Sequence, residues 1–151
     1  MKPDLRPCFP AVLILATALH LSAQPAAQPL PGQRVYEQHC AACHGGKGDG
    51  NGPAAVWLYP KPRDFSAGQF KIKSTPAQAL PTDEDLFQSV TRGLPGSSMP
   101  SFAYLTEGER REVAQYVKFL TARTDANGSR INLFEQANAS GSIAQPVVVP
   151  A

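Results

Sequence analysis

Cys40-Ala41-Ala42-Cys43-His44 is the stretch that decides the reading of this chain. Two cysteines separated by two residues and followed at once by histidine form the pattern of covalent c-type haem attachment. Each thiol can add to one haem vinyl group, and the two intervening residues let a turn of helix hold both sulfurs along one porphyrin edge. The adjacent imidazole then reaches the iron as the proximal ligand. Other chemistries also use a C-x-x-C pair. A thioredoxin-like redox pair needs a βαβ context, and the flanking sequence shows no such alternation of strands. A structural zinc site needs four nitrogen or sulfur ligands, yet His39 abuts Cys40, and His20 and Cys8 lie near the amino terminus. A plain disulfide between Cys40 and Cys43 is the remaining alternative for an exported chain.

The chain's 151 residues leave room for one domain with a modest core. Its 15 prolines and 12 glycines make up about 18% of the residues against an average near 12%, which favours loops and a few helices over a continuous sheet. A small loop-rich domain needs a staple, and a covalent haem would supply one. Lys2 and Arg6 precede an apolar run, Ala11 to Leu21, that is short for a membrane span. Ser22 and Ala23 mark an expected cleavage after Ala23, with Ala18 a second candidate and an uncleaved anchor the alternative. Cys8 lies before the apolar run, misplaced for a lipoprotein anchor. Residues 1–23 therefore read as a signal peptide and the destination as the periplasm, where haem attachment and an oxidising milieu agree. Loss of Lys2, Asp4 and Arg6 leaves 14 − 2 = 12 basic and 12 − 1 = 11 acidic side chains, a net of +1. With no basic cluster, nothing points to nucleic acid.

Residues 24–31 form a proline-rich spacer, and 32–123 are expected to hold the folded domain. A first helix should run from near Gly32 to about Ala42, with Val35 and Tyr36 on its apolar face. The Gly45–Gly52 run turns the chain and lacks both the order and the preceding strand of a phosphate loop. Trp57, Tyr59 and Phe65 are expected to pack an extended loop against a haem edge. Thr82 caps a second helix that opens on Asp83, Glu84 and Asp85 and stops at Gly93. Thr106 and Glu109 form a capping box for a third, whose Val113, Tyr116, Val117 and Leu120 share one face. The obvious partner for that stripe is the Val35/Tyr36 face. Residues 124–151, with a turn at Asn127-Gly128 and an apolar finish at Val147, read as a flexible tail.

A second axial ligand is expected at Met99. The only other methionine is Met1, which goes with the leader. Met99 sits in a loop, Arg92 to Phe102, where a core methionine would be out of place, and His/Met is a recognised cytochrome arrangement. Such a pair keeps iron low-spin, raises the potential and closes both axial positions.

In these features the chain resembles the class I cytochrome c family in its bacterial monohaem form. They are Cys40-x-x-Cys43-His44, Met99-Pro100 followed by Phe102 and Leu105, and the final helix ending Tyr116 to Leu120. The resemblance implies an all-α fold of three to four helices and loops around one covalently attached haem c. It also implies Gly32 and Tyr36 packed on Val113 and Tyr116, and the Pro53 carbonyl accepting from His44 Nδ1. Arg63 and Arg92 are candidate propionate contacts by charge and position. The stretches around Gly48, Pro60 and Met99 are similar to domains of two-haem cytochromes, but there is no second C-x-x-C-H. The expectation is a non-enzymatic periplasmic carrier of single electrons, monomeric alone. Cys40 and Cys43 would hold the haem and His44 and Met99 ligate the iron, with redox proteins, including a membrane-bound respiratory complex, as partners. The alternatives are a haem subunit of a dehydrogenase or oxidase, and a gas sensor or peroxidase in which Met99 detaches.

Overall fold

The computed structural model describes residues 28–142 and 145–147. The expected leader, and with it any uncleaved anchor, lies outside the described residues, as do residues 24–27 of the spacer. Among the described residues no helix is long and apolar enough to cross a membrane.

Two helices pack into the frame of the domain. The first, α1 (Gln33–His39), presents Tyr36, which is fully buried and lies 5.2 Å from the ring of Tyr116. The other, α4 (Glu107–Leu120), buries Val113, Ala114, Tyr116, Val117 and Leu120 on one face. Each large apolar side chain so buried contributes roughly 1.5–3 kcal/mol. The expected pairing of the Tyr36 face with this stripe is therefore what holds the two ends of the domain together. Gly32 sets how close they come. A Cβ there would stand 2.1 Å from the Glu112 carbonyl oxygen, and Gly32 also has a left-handed φ of 76°. Gly32→Ala is expected to cost about 3 kcal/mol, combining backbone strain with overpacking. Chemical denaturation of the two haem-loaded proteins measures this, and equal stabilities would show that α1 and α4 do not meet at this point.

The predicted single helix ending near Ala42 is instead two. Cys40 departs from helical geometry (φ −120°) between α1 and α2 (Ala41–His44). Its N–H still donates to the Tyr36 carbonyl at 2.8 Å, so the break turns the chain without orphaning the donor.

The next helix, α3 (Asp83–Arg92), packs on α4 and has the expected N-cap at Thr82, which Asp85 completes as a capping box. Burial pushes the Asp85 carboxyl up, but hydrogen bonds from Thr82 and Ser74 outweigh it and hold Asp85 below the ordinary carboxylate range. A carboxylate depressed in the folded state stabilises above its unfolded pKa of about 3.9, and that contribution fades as pH falls through the folded value. Asp85→Asn should therefore cost about 1 kcal/mol at neutral pH, with the difference from wild type shrinking below about pH 4. A pH-independent difference in denaturation midpoints would rule out the carboxylate charge as the cause.

The tail expected after Thr124 is the main correction. Strands β1 (Ala122–Thr124) and β2 (Arg130–Asn132) pair antiparallel around the Asn127-Gly128 turn, and α5 (Leu133–Ala139) follows. Asn132 makes this segment fold. Its side-chain oxygen accepts from the Phe134 and Glu135 N–H groups, while its amide donates to the Lys118 and Phe119 carbonyls at 2.9 and 3.2 Å. One side chain thus caps the start of α5 and the end of α4. Phe134 then joins the core at 8% exposure and meets Phe70 edge-on at 6.4 Å. The terminal apolar run lies outside the described residues except for Val147, whose N–H donates to the Ser74 carbonyl.

Candidate haem-attachment site

The motif occupies one helical turn. The N–H groups of Cys43 and His44 both donate to the Cys40 carbonyl, at 3.1 and 2.9 Å. Positions i, i+3 and i+4 of such a turn share a face. Both thiols are free and half-buried. Burial first, then the neighbouring Cys43, pushes the Cys40 thiol up to about 11. Cys40 is thus a protonated thiol near neutral pH, unlike the low-pKa thiolate of a thioredoxin-type pair.

The turn is braced from two sides. The Tyr36 hydroxyl donates to the Gly45 carbonyl at 2.7 Å, tying the end of the motif to α1. From the other side, Gly50, Gly52 and Ala54 donate to the carbonyls of His44, Cys43 and Ala42. The glycine run therefore folds back to cover the carbonyls that α2 leaves unpaired.

His44 Nδ1 lies 3.1 Å from the Arg63 carbonyl, not that of Pro53 as the family resemblance implied. Phe65 N–H donates to the Gly48 carbonyl at 2.7 Å, which draws residues 63–65 under the glycine run and presents the Arg63 carbonyl to the ring. A carbonyl can only accept, so Nδ1 carries the proton and Nε2 keeps its lone pair for a metal. Burial lowers the imidazole's pKa and the Arg63 bond partly restores it. The neutral ring is the form that ligates. Phe65 stacks on it with centroids 4.6 Å apart and planes 17° from parallel.

Of the three aromatics, Phe65 packs within the polypeptide, while Trp57 and Tyr59 are 85% and 92% exposed on it. A short 3₁₀ turn at Ala55–Trp57 buries Ala55 and turns Val56 and Trp57 outward.

Met99 is half-buried and packs against the buried core, as do Cys40 and Ala41. Its loop is pinned along its length. Leu94 N–H donates to the Met99 carbonyl at 3.1 Å, Phe102 N–H to Val90 at 3.1 Å, and Ser101 Oγ to Thr91 at 2.7 Å. Gly93 lets the loop close, since a Cβ on it would stand 2.5 Å from the Pro100 carbonyl carbon. Arg110 of α4 donates to the carbonyls of Ala103 and Leu105 at 3.0 and 2.5 Å, fixing the far end.

Arg63 and Arg92, the candidate propionate contacts, line two separate grooves, and neither groove is lined by Cys40, Cys43, His44 or Met99. The Arg63 carbonyl is the site feature that sequence reasoning missed, because a backbone acceptor leaves no signal in residue type.

These residues fit a covalently attached haem: two uncrosslinked thiols on one turn, an imidazole with Nε2 free, and a thioether in a pinned loop beside the same core. Residues 27–117 match the family described as cytochrome C oxidase, cbb3-type, subunit III. The chain belongs to this cytochrome c family. Membership implies covalent haem c, and the two cysteines it needs are present. Among solved structures, this chain is similar to a chain of the Kuenenia stuttgartiensis reducing HAO-like protein complex. The identity is 40% and the TM-score 0.58, over 60% of this chain and 41% of that one. The chain thus spans about two fifths of that protein's length. No curated protein matches.

Proposed function

We propose that the protein is a one-electron carrier of the periplasm, holding a single haem c through Cys40 and Cys43 with His44 and Met99 as the axial ligands. The haem, when bound, supplies the iron that accepts and releases the electron. The rest is the chain's own work. Arg63 fixes the proton on His44 Nδ1 and so directs Nε2 toward the metal. Phe65 restrains the imidazole from rotating. The braces on the 93–105 loop hold Met99 in place, so little rearrangement accompanies a change of charge. A site closed on both sides offers small molecules no place to react, which favours a carrier over an enzyme.

The observation that carries this reading is the His44–Arg63 contact beside two free thiols on the same turn. The test is the absorption spectrum of the exported, purified protein, oxidised and reduced, with and without carbon monoxide. A low-spin spectrum indifferent to carbon monoxide is expected. A high-spin component or ready carbon monoxide binding would overturn the His/Met assignment. Periplasmic location is tested by cell fractionation, where recovery of the holoprotein in the cytoplasmic fraction would contradict it.

A second reading is a haem subunit within a larger redox assembly. It is favoured by the 40% identity to a chain of a multi-protein complex. Co-purification of a stoichiometric redox partner would support it; a holoprotein that always purifies alone would argue against it.

A further inference from the structure

Apart from the haem-attachment residues, the structure holds a concavity of its own. It is an open groove of about 810 Å³ between the 67–80 loop and α5, within the range of about 300–1,000 Å³ typical of small-molecule sites. None of Cys40, Cys43, His44 or Met99 lines it. Its α5 wall and Arg123 lie beyond residues 27–117, the stretch matched by the family. The groove is thus made where the C-terminal unit of this chain meets the domain. That wall is firmly seated. A Cβ on Gly68 would lie 2.5 Å from a Leu133 methyl, and Phe134 meets Phe70 next to it.

Two chemistries line the groove. Phe70, Leu80 and Leu133 are apolar, while Arg63, Lys71 and Arg123 are cationic. Among the described residues no Asp or Glu lines it, and none of these three cations takes part in a salt bridge. In a chain whose charges nearly balance overall, this is a segregation of charge. Three like charges around one concavity repel each other and raise the local concentration of anions. Arginine in particular offers a planar fork of donors that fits a carboxylate or phosphate. The apolar residues give the same ligand a surface on which to bury hydrocarbon.

We propose that this groove binds an anionic amphiphile, a molecule with one carboxylate or phosphate head on an apolar body. The head is held by Lys71 and the two arginines and the body lies against Phe70, Leu80 and Leu133. The source can be a free metabolite of that chemistry or the headgroup of an acidic lipid, and the two are separable by experiment. The proposal is independent of the axial-ligand assignment.

The test uses the full-length, haem-loaded protein and dodecyl phosphate below its micelle concentration, titrated by calorimetry, with dodecyl maltoside as the neutral control. One saturable site is expected for dodecyl phosphate and none for the maltoside. Lys71→Gln combined with Arg123→Gln should weaken binding about tenfold, as expected for losing charge-assisted contacts. Ala137→Trp, which fills the groove from α5, should abolish it. Far-ultraviolet circular dichroism and the haem spectrum report whether each variant keeps its fold. Non-saturable binding, equal binding by the maltoside, or an affinity unchanged in the charge variant would overturn the proposal. Sedimentation with phosphatidylglycerol and phosphatidylcholine vesicles then assigns the source. Co-sedimentation with the first alone, lost in the charge variant, identifies a lipid headgroup. Dodecyl phosphate binding without co-sedimentation identifies a free ligand.

Discussion

Replacing Cys40 and Cys43 together with serine is expected to abolish covalent haem attachment completely. Extraction of the denatured wild type with acidified organic solvent should leave the haem on the polypeptide. The double variant should release whatever haem it carries, and its mass should be that of the polypeptide alone. The argument is local. Serine is close in size to cysteine, and the turn from Cys40 to His44 is held by backbone bonds to the Cys40 carbonyl, so its geometry survives the change. What is lost is the sulfur that forms the thioether. Either single substitution leaves one thiol on the same face and should retain a single bond. The double variant should also melt earlier, because small domains depend on such staples and total stabilities are only about 5–15 kcal/mol. Haem that stays on the denatured double variant would mean that the attachment lies elsewhere.

How much of this was legible in the sequence depends on the range of the interaction that fixes each element. Capping is written within four residues, so the Thr82 cap with its acidic first turn and the Thr106–Glu109 box announced α3 and α4, and both caps are formed. Gly93 ended α3 because a helix stop is equally local. The stripe of α4 was legible because fourteen residues give its period room to repeat. α5 had no such advantage. It has seven residues, too few to display a period, in a stretch rich in Asn, Ala and Gln. What organises it is Asn132 reaching across to the last carbonyls of α4, and an asparagine in a polar stretch reads equally well as a loop residue.

The candidate site divides along the same line. Side chains whose chemistry is specific, the two thiols, the imidazole and the thioether, could be picked out by type and order. Their supports could not. The carbonyl that orients His44 belongs to the backbone, which every residue carries, so only the fold could show that it comes from Arg63 and not Pro53. The 3₁₀ turn at Ala55–Trp57 belongs with those supports, since nothing in residue type announced that Ala55 would be the side chain it buries.

Met99→Ala should lower the reduction potential by on the order of 0.1 V or more, a fraction of the about 0.8 V that axial ligands command. The variant should also bind carbon monoxide when reduced, which the wild type should not. The fold should tolerate the change. The loop is held by the Met99 carbonyl, the Ser101 hydroxyl and the Arg110 guanidinium, and none of these depends on the methionine side chain. Truncation of a half-buried side chain at the edge of the core should cost less than the roughly 2–5 kcal/mol of a fully buried one. Potential and stability therefore separate, and a large fall in one with a small fall in the other is the signature of a ligand. Met99→His sharpens the distinction. An imidazole there would close the site against carbon monoxide again while leaving the potential low, because it lacks the thioether's preference for ferrous iron. If Met99→Ala changed stability alone, with potential and carbon monoxide response unmoved, Met99 would be a packing residue and the sixth ligand would have to come from another part of the chain.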